Sequence, residues 1–288
     1  MKAERLCING LEHQIYHWGN PGLPMLFFVH GWMDTGASFA FACEFLAKDF
    51  HCIALDLRGF GRSEHTGNPL GYFFVEYVAD LHRLFAHFSP QAPVRLVGHS
   101  MGGNIVSLYA GTFPERVSHM INAEGFGIQD MLPAKGPERV RAWIEASAAD
   151  RFKVYATLDE VADRLRVANP DLPLDRARWI APYMTRPVVG GFAFSADPKH
   201  KWPNPYLYQL QGVYPFWESI RAHCLLVGGE TSKIGVLLHV PDVQAEIEMR
   251  LSHFPKNSQR RVLRDCGHML HHENPRAFAQ AVRDFIAS

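Results

Sequence analysis

The stretch Gly98-His99-Ser100-Met101-Gly102-Gly103 constrains this chain more than any other. Before it, Val94-Arg95-Leu96-Val97 is a short apolar run bounded by Pro93, which reads as a buried strand. After it, Ile105, Leu108, Tyr109 and Phe113 recur at helical spacing until Pro114 closes the pattern. A strand that turns at once into a helix must hold Ser100 in a strained backbone conformation, and Gly98 and Gly102, lacking a Cβ, leave room for that turn. The hydroxyl is then pushed out of the sheet, as in a nucleophile elbow. The backbone N–H of Met101 and the positive end of the helix lie beneath any oxyanion formed on the serine. A serine between glycines also suits an ordinary turn, so the rest of the chain has to carry the assignment.

Apolar runs at Leu26-Phe27-Phe28-Val29, Cys52-Ile53-Ala54-Leu55, Met120-Ile121-Asn122, Cys224-Leu225-Leu226-Val227 and Val262-Leu263 predict further strands, joined by two near the start, Leu6 to Asn9 and Gln14 to Trp18. Helices are predicted between them. Ser38 to Ala47 turns Phe39, Ala42, Cys43 and Leu46 inward, Tyr72 to Phe88 turns Val75, Val78, Ala79, Leu81 and Phe85 inward, and Pro275 to Ile286 ends the chain. The alternation predicts an α/β fold with a mostly parallel central sheet flanked by helices. It stops between about Gly127 and Trp217, a segment holding ten of the 19 prolines and four of the six tryptophans. Helical stretches such as Glu138 to Ala148 and Leu158 to Ala168 occur there without another core-type strand. The segment reads as a helical cap, residues 128–217, inserted into a core formed by 1–127 and 218–288. Its aromatic residues Trp143, Phe192, Phe194, Trp202 and Trp217 suggest an apolar pocket.

Composition removes several function classes. Hydrophobic residues make up 47% and charged residues 20%, the balance of a soluble globular chain. Lysine plus arginine and aspartate plus glutamate number 29 each, and no long basic run occurs, which argues against a nucleic-acid partner. The charged start Met1-Lys2-Ala3-Glu4-Arg5 precedes only a few apolar residues, so neither a secretory segment nor a membrane span is read, and a cytoplasmic location is expected. Five cysteines without a Cys-x-x-Cys pair read as buried thiols, not as a disulfide frame or zinc site. No metal or organic cofactor is implied. Monomer and homodimer both stay open.

A serine nucleophile needs a base within hydrogen-bond reach and a carboxylate that orients that base. The base is expected from a loop after the last core strand, because the sheet delivers such loops to one edge. His268 lies there, in Asp265-Cys266-Gly267-His268-Met269-Leu270-His271-His272-Glu273, with His271 and His272 as alternatives. The thiol of Cys266 is a weaker candidate nucleophile than Ser100. A second oxyanion donor beside Met101 is the backbone N–H of Trp32, in the loop His30-Gly31-Trp32 after the third strand.

Four motifs, His30-Gly31-Trp32-Met33-Asp34, Asp56-Leu57-Arg58-Gly59-Phe60-Gly61-Arg62-Ser63, the turn at Ser100, and Gly267-His268 with Glu273-Asn274-Pro275, make the chain resemble an α/β-hydrolase-fold enzyme over nearly its full length. The His-Gly-Trp-Met-Asp opening and Ala196-Asp197-Pro198 are similar to its serine-hydrolase-like branch. The resemblance implies that Asp56 and Arg58 serve stability. A serine nucleophile argues against the related haloalkane dehalogenases and epoxide hydrolases, whose chemistry runs through a carboxylate ester. The chain departs from the family at the third member of the triad. The usual Gly-x-x-Asp, laid on Gly229-Glu230-Thr231-Ser232, puts Ser232 where the aspartate belongs. Glu124, at the end of the sixth strand in Asn122-Ala123-Glu124-Gly125-Phe126, is the preferred acid, because some relatives, one group of haloalkane dehalogenases among them, recruit a glutamate from that place. Glu230 is the alternative, with Asp130 behind it. The expected reaction is hydrolysis of a small, apolar carboxylic ester through an acyl-enzyme. Thioester, lactone or carbon-carbon bond hydrolysis on the same triad, or ligand binding without catalysis, are the alternatives.

Overall fold

The structure, a computed structural model, describes residues 1–146 and 151–288. A hairpin, β1 (Lys2–Ile8) and β2 (Leu11–Trp18), opens the chain. Then come β3 (Met25–Val29), α1 (Ala40–Leu46), β4 (His51–Leu55), α2 (Phe74–Phe88), β5 (Val94–His99), α3 (Met101–Thr112) and β6 (Val117–Ala123). The inserted segment follows, with α4 (Gly136–Glu145), α5 (Leu158–Ala168), α6 (Leu174–Met184), β7 (Thr185–Val188), β8 (Gly191–Phe194) and α7 (Leu210–Ser219). The chain closes with β9 (His223–Gly229), α8 (Gly235–Leu238), α9 (Val243–Leu251), β10 (Gln259–Leu263), α10 (Leu270–Glu273) and α11 (Pro275–Ala287).

Eight strands form one sheet in the order β1-β2-β4-β3-β5-β6-β9-β10. β2 runs antiparallel to both neighbours, and the pairs from β4 through β10 are parallel. The apolar runs of the sequence follow from burial on both faces. In β3, Phe27 and Val29 pack under α2, α3 and α7, while Leu26 and Phe28 pack under α1 and α11, and none is more than 1% exposed. Parallel strands end on the same side, so the residues after β3, β5, β6, β9 and β10 share one edge. The chain reverses its direction of travel across the sheet between β3 and β5, which opens a crevice at that edge.

Several expectations change. On α2 the inward face is Tyr77, Val78, Asp80, Leu81, Leu84 and Phe85, whereas Val75 is 67% exposed and Ala79 is exposed as well. The reason is Asp80, fully buried and gripped by Arg58 through Nε and Nη2, each at 2.6 Å, which sets the helix phase that apolar spacing alone misjudged. The inserted segment is not wholly helical, since β7 and β8 pair as a hairpin, extended by a bridge from Tyr155 to Phe192. The helix read at Glu138 to Ala148 ends at Glu145, and its last two residues fall outside the described ones. Finally, α7 packs along α3, with Trp217 1% exposed in the main core, so the last helix of the 128–217 segment belongs to the layer beneath the sheet. Cys7 is exposed and the other four thiols are buried.

Asp56 is buried and accepts hydrogen bonds from Thr35 Oγ1 at 2.5 Å, Gly36 N at 2.7 Å, Arg62 N at 2.8 Å and Tyr16 OH at 3.0 Å. It thus ties β2 to the loops after β3 and β4. Among the described residues no helix is long and apolar enough to cross a membrane.

Candidate active site

Ser100 sits between β5 and α3 with φ 50° and ψ −116°, a conformation that an L-residue adopts only when its surroundings hold it there. Two close approaches do the holding. A Cβ on Gly98 would lie 2.4 Å from the Gly102 carbonyl oxygen, and one on Gly102 would lie 2.1 Å from that of Val29, so only glycine lets helix, elbow and β3 meet this closely. The Ser100 N–H donates to Ala123 O at 2.8 Å, locking the turn to the end of β6.

Two further side chains meet the serine. His268 Nε2 lies 2.9 Å from Ser100 Oγ, and its Nδ1 lies 3.1 Å from Glu124 Oε2. An ionised carboxylate can only accept, so the imidazole hydrogen belongs on Nδ1, and Nε2 presents its lone pair to the hydroxyl. Glu124, 3% exposed, leaves β6 at φ 60°. Its Oε1 accepts from Gly229 N at 2.8 Å, and its Oε2 accepts from Ser232 Oγ at 2.5 Å as well as facing His268. The other candidate acids lie elsewhere: exposed Glu230 accepts at 3.4 Å from Asp265 N, and Asp130 accepts from Leu210 N at 2.9 Å, at the start of α7. Burial pushes the Cys266 thiol up to about 12, away from the thiolate form.

The loop after β3 lies against Ser100, since a Cβ on Gly31 would be 3.2 Å from Ser100 Cβ. Trp32 follows it, and Met101 is the first residue of α3. Among the described residues neither backbone N–H has a hydrogen-bond acceptor. A cavity of about 140 Å³ opens at Trp32 and Met101 and is walled by Tyr72, Phe74, Tyr77, Trp143 and Trp202. His200 also borders it, stacked between Phe60 and Tyr72 at 3.7 and 3.8 Å, and burial pushes its imidazole down to about 3. Of the aromatic residues expected to line a pocket, Trp143 and Trp202 do line this one. Trp217 is core, Phe194 packs in a small cap cluster with Tyr155 and Val161, and Phe192 faces a separate cleft.

Sequence reasoning missed the buried polar layer behind these groups. His99 Nε2 donates to the His268 carbonyl at 2.8 Å, fixing the His268 loop to the residue beside Ser100. Burial, with His271 and His268 nearby, holds the His99 imidazole far below its ordinary value and hence neutral. Asp34, two residues beyond Trp32, accepts from Ser38 Oγ at 2.9 Å and His271 Nε2 at 3.3 Å, with His272 Nε2 at 3.7 Å. Burial alone would raise its carboxyl, but His272, His271 and His30 bring it well below the usual carboxylate range. Asp34, His271 and His272 are the one group of three among the described residues whose donor atoms lie close enough, all within 4.8 Å, to suit a metal ion. All three are buried; His271 is hydrogen-bonded to Asp34, while His272 Nε2, at 3.7 Å, has no hydrogen-bond partner, and the group ties the Trp32 loop to the His268 loop. Neither His271 nor His272 reaches Ser100.

A family model described as alpha/beta hydrolase fold matches residues 24–275. The chain belongs to the α/β-hydrolase fold family. A "Probable serine hydrolase" of Drosophila melanogaster is 33% identical over 80% of this chain and 71% of its own length. A "Serine hydrolase-like protein" of Danio rerio is 27% identical over 93% of this chain and 83% of its own. The crystal structure of a hypothetical protein from Pseudomonas aeruginosa PAO1 superposes with a TM-score of 0.87 at 26% identity, covering 100% of this chain and 98% of that one. In this α/β hydrolase the position at which the family resemblance leads one to expect an aspartate holds Ser232, and its hydroxyl donates to the Glu124 carboxylate. Asn122 was likewise unread: fully buried, it accepts from Gly125 N at 2.8 Å and donates to Ser107 Oγ and Gly125 O, each at 2.9 Å, bracing the Glu124 turn against α3.

Proposed function

We propose that this α/β hydrolase cleaves a small, apolar carboxylic ester through an acyl-enzyme. The observation that carries the reading is the hydrogen-bonded chain from Ser100 through His268 to Glu124, at 2.9 and 3.1 Å. Ser100 Oγ attacks the carbonyl carbon as His268 Nε2 takes its proton. The same nitrogen returns the proton to the leaving alcohol, and water then repeats the sequence to release the acid. Glu124 holds the imidazole in the Nδ1–H tautomer and stabilises the imidazolium. The N–H groups of Trp32 and Met101 bind the oxyanion, each such donor contributing about 3 to 4 kcal/mol to the transition state. The cavity of about 140 Å³ beside these donors, with aromatic walls drawn partly from the cap, favours a short apolar group. We read residues 128–209 as the cap and α7 as core.

The test uses the purified chain with short-chain p-nitrophenyl esters and a fluorophosphonate probe. Ser100→Ala is expected to abolish labelling and to lower kcat by about 10⁴-fold or more. Glu124→Gln is expected to lower kcat by about 10³- to 10⁴-fold, as loss of the orienting acid does elsewhere, and Glu230→Gln by less than about threefold. The reverse ranking in folded variants would reject Glu124 as the acid, and labelling and turnover independent of Ser100 would reject the hydrolase mechanism itself.

A further inference from the structure

A second concavity, of about 580 Å³, lies where residues 61–65 of the loop after β4 meet β1, the end of α6 and the cap hairpin. None of Ser100, His268, Glu124, Trp32 or Met101 lines it. Three arginines do, each from a different segment: Arg5 in β1, Arg62 in the turn after β4, and Arg186 in β7. Among the described residues none of these guanidinium groups has an ion pair or a hydrogen bond, and Arg62 lies over the Tyr183 ring, 5.0 Å from its centre. All three side chains are exposed, and together they give this cleft a positive lining in a chain of zero formal charge.

The other groups in the lining leave the positive charge dominant. Glu64 is the carboxylate there, and its Oε2 accepts from Glu12 N at 3.0 Å. His65 Nε2 donates to the Ser195 carbonyl at 2.8 Å, with its Nδ1 3.7 Å from Asp197. Ser195 also lines the cleft; the residue is 6% exposed and its hydroxyl is buried without a hydrogen-bond partner. Leu158, Pro182, Pro187 and Phe192 supply apolar surface. The arginine backbones are fixed: Arg5 pairs with Gln14, Arg186 with Ala193, and Arg62 N donates to Asp56 Oδ2 at 2.8 Å.

We propose that this cleft binds an organic anion carrying two or more negative charges, a phosphate or a polycarboxylate. Its charged end is held by Arg5, Arg62 and Arg186, whose planar forks match either oxyanion, and its carbon body lies on Phe192 and the prolines. The site is separate from the ester chemistry proposed at Ser100.

Isothermal titration of the full chain at low ionic strength with pyrophosphate, ADP and citrate tests it. At least one is expected to bind with Kd below about 1 mM, and Arg62→Gln and Arg186→Gln are each expected to weaken it about tenfold, or 1.4 kcal/mol. Arg276→Gln, an exposed arginine away from the cleft, serves as the charge control and is expected to bind as wild type does. Binding of pyrophosphate or ADP assigns phosphate chemistry, and binding of citrate alone assigns polycarboxylate chemistry. Thermal melts without ligand establish that the variants fold; if Arg62→Gln does not, Arg186→Gln carries the test. Ser100→Ala is expected to bind as wild type does, so this proposal and the hydrolase reading fail separately. No binding of any of the three at millimolar concentration, or binding that folded arginine variants leave unchanged, overturns it.

Discussion

Glu124 is held at a φ of 60°, a region that a glutamate occupies only where its surroundings fix it. The side chain helps to fix it, because three donors from two segments converge on its two oxygens: Gly229 N and Ser232 Oγ from the end of β9 and the turn after it, and His268 Nδ1. Ser232 is therefore a positioning residue for the proposed acid. Hydrogen bonds to charged groups contribute about 1.5 to 3 kcal/mol, so Ser232→Ala is expected to lower kcat for a p-nitrophenyl ester by about tenfold or more with little change in KM. A second variant asks whether a carboxylate could work from the other loop. Ser232→Asp alone sets two carboxylates side by side and is expected to impair turnover, whereas Ser232→Asp in the Glu124→Gln background is expected to recover part of the activity lost in Glu124→Gln. Absence of any recovery in a folded double variant would show that position 232 cannot present an acid to His268.

The elements were legible to different degrees, for physical reasons. Strands such as β3 and β4 are apolar at every position but His51 because both faces are covered, and the runs read from sequence differ from them only by Met25 and His51 at their starts. The elbow was legible because a strand, a glycine-flanked serine and a helix leave few other geometries. Glu124 drew notice because it follows the strand beside β5, the place from which some of the resembled relatives recruit a glutamate, and its role as the acid is the proposal above. The Asp34 network was not, since periodicity says nothing about which polar groups meet across more than 230 positions. The hairpin β7–β8 escaped for another reason: its strands are four residues each, too short for a period to emerge. The helix α7 looked like cap because it follows a proline-rich stretch, but its packing on α3 makes it structural. Trp217→Ala is accordingly expected to cost about 3 to 5 kcal/mol in urea denaturation, the range for truncating a buried aromatic. Trp143→Ala, on the half-buried cap wall of the small cavity, is expected to leave the midpoint nearly unchanged and to shift the preferred ester chain length instead. Equal stability of the two variants would return α7 to the cap.

At the scale of the whole molecule, the edge that carries Ser100 is also where the fold buries neutral imidazoles. His30, His99, His200 and His272 all have imidazoles lowered by burial, the last two to about 3. In the unfolded chain each takes up a proton as pH falls through about 6.5, while in the folded chain each takes it up only at lower pH. The unfolded state therefore binds more protons throughout that interval, and stability falls as pH falls from 6.5, by at most about 1.4 kcal/mol per pH unit for each such imidazole. Asp34 acts in the same direction but later: its carboxyl is lowered on folding, so its contribution is present above the ordinary carboxylate value near 4 and is lost only below it. Against a total stability of about 5 to 15 kcal/mol for a typical domain, a contribution of this sign is expected to show as a measurable acid-side loss. Urea midpoints measured from pH 7.5 to 4.5 are expected to decline steadily from about pH 6.5, before most carboxylates titrate. His272→Gln, which removes one of the four, is expected to make that decline shallower whatever it does to the midpoint at pH 7.5. A midpoint that stays level down to pH 5 would show that these imidazoles gain their protons as readily in the folded chain as in the unfolded one.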